Sequence, residues 1–150
     1  MGNIWHMQLN LKDRVFLWQV YVGGLPLAAN LKERGYTDGK CPRCKVRQET
    51  ARHTFCFCPL VLEWWRQLRA TVLSRTEINL SRIKFTFNLS SYAALEHAWL
   101  INHIRYWLFQ VIWLSRNETL FTGQTHFAVG LPTQRLKSYL LEALVVDVRM

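Results

Sequence analysis

The chain has 150 residues, enough for one domain that buries a real core. Half of the residues are hydrophobic and 13% are aromatic, with seven Trp, which excludes a disordered tail or a fibrous repeat. Nineteen Lys plus Arg stand against ten Asp plus Glu, a formal charge of +9, and thirteen of the cations are Arg. That balance leans towards recognition of phosphate or carboxylate.

The N-terminal stretch Met1-Gly2-Asn3-Ile4-Trp5-His6 lacks a basic region followed by an apolar run, so no secretory signal is expected. A first helix is predicted over residues 11–22, ended by Gly23-Gly24. Pro26 suits the first turn of a short helix through Arg34, with Gly35 as its stop. Thr37-Asp38-Gly39 is turn chemistry. A Cys-rich segment runs from Cys41 to Cys58, and Pro59 opens a helix to about Ser74. On that helix Val61, Trp65, Leu68 and Val72 share a face, which makes Trp65 a core residue; Trp64 is left undecided.

Residues 76–91 read as a connection, and only Ile83 to Phe87 alternates in the manner of a strand. A long helix is expected over residues 92–121, apolar on nearly every side between Ile104 and Leu114. Only Glu96, His103, Gln110 and Asn117 draw a polar line along it, so it is buried or faces a partner. The most apolar stretch, residues 93–114, is broken by Glu96, Asn102, His103, Arg105 and Gln110 and does not read as a membrane span. A last amphipathic helix over residues 133–148 carries Leu136, Leu140 and Leu144. With no membrane partner and no secretory signal, the expected location is intracellular, in the nucleus or cytoplasm. In such a reducing compartment four Cys are better read as metal ligands than as disulfides.

The chemistry is concentrated in Cys41-Pro42-Arg43-Cys44, then His53, then Cys58, a C-x2-C-x8-H-x4-C pattern. Two close pairs of soft or borderline donors separated by a loop are what tetrahedral Zn²⁺ needs. A thioredoxin-like Cys41/Cys44 pair lacks its βαβ setting. A nucleotide deaminase lacks its upstream H-x-E, and a Cys nucleophile paired with His53 has no further support. Cys56, three residues after His53, competes with Cys58 for the fourth position; Cys58 is preferred because Pro59 lets the helix end first. All four positions are then protein ligands and the site is structural. Two His at positions 97 and 103 do not share a helical face, and no P-loop, nucleophile elbow, zincin motif or carboxylate dyad is present, so no catalytic set is expected.

Around the ligands stand Arg43, Lys45, Arg47 and Arg52, followed by Arg66 and Arg69 beside Trp64 and Trp65. These six cations are the candidate nucleic-acid contacts, by charge and stacking. The competing reading is local neutralisation of a site that carries three thiolates and one Zn²⁺. Arg116-Asn117 reads as structural, with Arg116 on helix-end carbonyls or a nearby carboxylate and Asn117 capping.

The stretches Lys12-Asp13-Arg14-Val15-Phe16-Leu17-Trp18, Gly24-Leu25-Pro26-Leu27 and Asn30-Leu31-Lys32-Glu33-Arg34-Gly35 lead into Cys41-Pro42-Arg43-Cys44, Glu49-Thr50, His53-Thr54-Phe55 and Cys58-Pro59. This order resembles the zinc-binding region that follows the reverse transcriptase in LINE-type, non-LTR retrotransposon proteins. The segment Ile112-Trp113-Leu114-Ser115-Arg116-Asn117-Glu118, with Phe121, is similar to one found further along the same proteins. Cys56 is an addition to the pattern. The resemblance implies an accessory module that holds template RNA or target DNA, and polymerase activity is not carried over to this chain.

The expectation is therefore a mostly α, single-domain fold over residues 1–150, with a CCHC zinc knuckle inserted between helices. Residues 1–75 form the zinc-binding part and residues 76–150 a helical part packed on it. The function expected is non-catalytic binding of nucleic acid, RNA favoured over DNA. The alternative is a protein-interaction module in which a partner docks at Trp107, Leu108 and Trp113.

Overall fold

A computed structural model describes Ile4 and residues 9–76, 78–87 and 98–123. The predicted helix over residues 133–148 and the first turns of the predicted helix from Tyr92 lie outside the described residues.

The described residues are mostly helical. Helix α1 spans Leu11–Val22. The Asn10 side chain caps it by accepting from the Asp13 N–H at 2.9 Å. Gly23, at φ 73°, ends it in the left-handed conformation that costs Gly no steric penalty, and its N–H reaches the Gln19 carbonyl. The Asn30 amide donates to the carbonyls of Gly23 and Leu25, 3.1 Å each, and folds the chain back into α2, Ala28–Lys32. This helix starts two residues later and stops earlier than Pro26 and Gly35 suggest.

The Cys-rich segment is a small hairpin followed by one wide helical turn over His53–Phe57. Helix α3 spans Pro59–Thr76, with Pro59 in its first turn, where a missing N–H is harmless. It buries Val61, Trp64, Trp65, Leu68 and Val72, so both tryptophans belong to the core. The short α4, Arg82–Phe87, replaces the expected connection, and its apparent strand alternation gives way to a single packed turn and a half. Helix α5 spans Ala98–Thr122 and stops at Gly123, whose N–H bonds the Thr119 carbonyl.

Helices α3, α4 and α5 all pack against the His53–Phe57 turn. Phe55 lies at the centre: its ring meets Phe109 of α5 at 5.1 Å, and its carbonyl accepts from the Trp65 indole of α3 at 3.1 Å. Tyr21 and Phe16 extend the same aromatic layer from α1 to Phe109 and Tyr106. The Cys-rich segment is thus part of the core and not an appendage to it. Among the described residues no helix is long and apolar enough to cross a membrane.

A candidate metal centre and its basic surroundings

The first two donors sit on a knuckle. An antiparallel bridge between Lys40 and Gln48 closes the hairpin, with Cys41 N–H on the Arg47 carbonyl at 2.8 Å and Glu49 N–H on the Gly39 carbonyl at 2.8 Å. Gly39 holds φ 85° in this turn, and a Cβ there would lie 2.8 Å from the Lys32 side chain. At the tip Lys45 adopts φ 59° and its N–H returns to the Cys41 carbonyl at 2.9 Å, which turns Cys44 back towards Cys41.

The second pair, His53 and Cys58, is set by the wide turn. Thr50 starts it: its hydroxyl accepts from the His53 N–H and its carbonyl from the Thr54 N–H. The Cys58 N–H then bonds the His53 carbonyl at 2.8 Å, five residues back. Such π-type turns recur at functional sites. Five residues, which overshoot one turn of an α-helix, here complete one turn and bring His53 and Cys58 together. The donor atoms that come together therefore include Cys58 and not Cys56. Cys56 is buried on another side of the turn, beside Thr86 and Arg82 of α4, and burial pushes its thiol pKa up.

The ligand atoms of Cys41, Cys44, His53 and Cys58 all lie within 4.8 Å of one another, and Cys44 Sγ is 3.4 Å from His53 Nε2. A tetrahedral Zn²⁺ with ordinary bond lengths has S···N edges of about 3.6 Å and S···S edges of about 3.8 Å. The cluster fits such an ion with little adjustment. Hydrogen bonding to Cys58, then to His53, with Arg43 nearby and the Cys44 N–H, holds the Cys41 thiol well below its usual range. Its partner Cys58 is pushed up by the same shared proton and by burial. Replacing Cys58 by Ser should abolish stoichiometric metal binding, whereas Cys56→Ser should retain it; metal analysis of the two purified variants checks this.

The cations expected around the site divide into three groups. Arg43 is a correction: it is buried, donates to the Thr54 carbonyl at 3.2 Å and faces the thiolates, so it neutralises the cluster and does not present itself to a phosphate. Lys45 is exposed, but lines a separate hollow with Asp38, Lys40 and Pro42. Arg47, Arg52, Arg66 and Arg69 are exposed and line two grooves. Arg47 and Arg52 border one of about 760 Å³ with Thr50, His53 and Phe57. Arg66 and Arg69 border one of about 420 Å³ between α3 and α4, together with Asn79 and Arg82. Arg66 is already paired with Glu63, whose carboxyl it holds down at about 2, so a phosphate there competes with an ion pair.

Arg82 was hidden from sequence reasoning because the segment reads as a connection until tertiary packing makes it helical. Phe57 carries no sequence signal, because spacing alone does not tell an outward-facing aromatic from a buried one.

The sequence expectation for Arg116 holds in a stronger form. Glu49, with no exposed surface, accepts from both Nε and a terminal nitrogen of Arg116, itself 3% exposed, and from the Ala28 N–H at 2.7 Å. Arg116 also reaches the Pro26 carbonyl at 3.4 Å and stacks over Trp113 at 4.8 Å. Asn117 does not cap; it accepts from Arg116, and α5 continues for five residues beyond it. Of the three α5 residues named as a docking face, Trp107 and Leu108 are buried and Trp113 is half-buried.

No curated protein and no solved structure matches the chain. Residues 1–65 match the family model described as zinc-binding in reverse transcriptase, a segment that carries all four donors and ends inside α3.

Proposed function

We propose that the chain is a non-catalytic nucleic-acid-binding module whose four donors hold Zn²⁺. It is of the kind that accompanies the reverse transcriptase of LINE-type retrotransposon proteins, with RNA favoured over DNA. The observation that carries the reading is the pair of basic grooves beside the metal cluster. Arg47 and Arg52 line one, and Arg66, Arg69 and Arg82 line the other. Three thiolates, one imidazole and no open position suit a structural ion, which fixes the loop that carries Arg47 and Arg52. The match of residues 1–65 supports a role beside a polymerase that copies RNA.

The test is a salt series with a generic single-stranded RNA and the zinc-loaded chain. Four phosphate contacts give a slope of log K against log [salt] of roughly −3. The Arg47→Ala, Arg69→Ala double variant, one change in each groove, should reduce the slope by roughly one to two and weaken all sequences alike. Absence of binding at low salt, or binding that ignores both salt and the double variant, would overturn the reading.

A further inference from the structure

The wide turn that supplies His53 and Cys58 buries His53, Thr54, Phe55 and Cys56, yet presents Phe57, 38% exposed, to the outside. Phe57 lies between the buried Cys56 and the metal-ligating Cys58, so its backbone is anchored on both sides. Two guanidinium groups lie against its ring: Arg52, from the approach to the turn, at 5.8 Å from the centroid, and Arg82, from the start of α4, at 5.4 Å. The ring lines the groove of Arg47 and Arg52, and Arg82 lines the groove of Arg66 and Arg69. The Phe57–Arg82 contact therefore joins a lining residue of one groove to a lining residue of the other.

Phosphate attraction alone needs cations and no aromatic ring. A partly exposed ring with two arginines over it adds an apolar face, and a base outside a duplex can stack there once a guanidinium leaves the ring for a phosphate. In a duplex the base faces are covered by their neighbours. We propose that this track selects single-stranded nucleic acid, with one unpaired base stacked on Phe57 and the phosphates on either side held by Arg52 and Arg82. The proposal rests on the nucleic-acid reading above and specifies the form of its ligand.

The experiment compares the full zinc-loaded chain with Phe57→Leu and Phe57→Trp. The probes are a labelled single-stranded RNA, an abasic strand of the same length and a blunt duplex, all at one low salt concentration. The wild type should bind the intact strand about tenfold or more tightly than the abasic strand, the range expected for one stacked base. Phe57→Leu should bring the intact strand down to the abasic level and leave abasic and duplex binding unchanged, and Phe57→Trp should restore the difference. If Phe57→Leu weakens all three probes equally, the ring only spaces the arginines and the proposal is overturned. It is equally overturned if Phe57→Leu changes none of them. If Phe57→Leu loses zinc or helicity, the wild-type comparison of intact with abasic strand decides: equal affinities overturn the proposal. Salt-dependent binding that persists in any of these cases leaves the parent reading intact, whereas no binding of any probe by the wild type removes both.

Discussion

Replacing Arg116 by Ala is expected to destabilise the protein by about 3–5 kcal/mol, the usual cost of leaving one member of a buried ion pair without its partner. Glu49 cannot turn to water, because it has no exposed surface, and its other hydrogen bond to the Ala28 N–H does not neutralise the charge. Against a total stability of about 5–15 kcal/mol for a domain, this is a large fraction. In thermal unfolding followed by circular dichroism the midpoint should fall by roughly 6–20 °C, taking about 2–4 °C per kcal/mol at this size. The double variant Glu49→Gln, Arg116→Met removes both charges and should recover a substantial part of that loss. A midpoint shift in Arg116→Ala below about 2 °C, which is under 1 kcal/mol on the same scale, would show that the pair contributes little.

Removing the metal is expected to have the largest effect of all. Apparent binding energies for structural zinc run to about 10–16 kcal/mol, comparable to the whole stability of a domain. The donors are not in a separable loop: Phe55 lies between His53 and Cys58, and α3 and α5 both pack on it. A strong chelator should therefore make residues 36–60 sensitive to protease and abolish the near-ultraviolet signal of the aromatic core, while much of the helical signal of α3 and α5 persists. Zinc, added back under reducing conditions, should restore both. Acid should act in the same direction, because protons compete with the metal for three thiolates and an imidazole. Unchanged protease resistance after complete metal removal would contradict this coupling.

What the sequence made legible was local. The ends of α1 follow from Gly23 and the run that precedes it, and the spacing of Cys41, Cys44, His53 and Cys58 implies the cluster. The face of α3 was readable from its period, although Trp64 turned out to be as buried as Trp65. The remainder depended on partners far along the chain. Arg116 could be read as seeking a carboxylate, but nothing local selects Glu49, 67 residues away. Arg43 looks like its cationic neighbours until the fold turns it inwards to the Thr54 carbonyl. The alternation of residues 83–87 suggested extended chain, and packing against the wide turn made it helix instead. Pro59 favours Cys58 over Cys56 by letting the turn end before the helix begins. The physical cause is the hydrogen bond from Cys58 back to His53, which no spacing rule for α-helices contains.

The burial of Glu49 bears on how the chain can be dissected. The segment that matches the zinc-binding family ends at residue 65, which tempts one to excise it as a minimal finger. Such a fragment would keep all four ligands and lose Arg116, Phe109 and the rest of α5. It would carry a carboxylate designed for an inaccessible ion pair, with Phe55 and two tryptophans stripped of their cover. Metal affinity measured on that fragment would include the cost of these defects and understate the affinity of the whole. A piece expected to behave as the parent does must run at least through the end of α5 at Thr122, so the matched segment stops nearly sixty residues short of an element its core depends on.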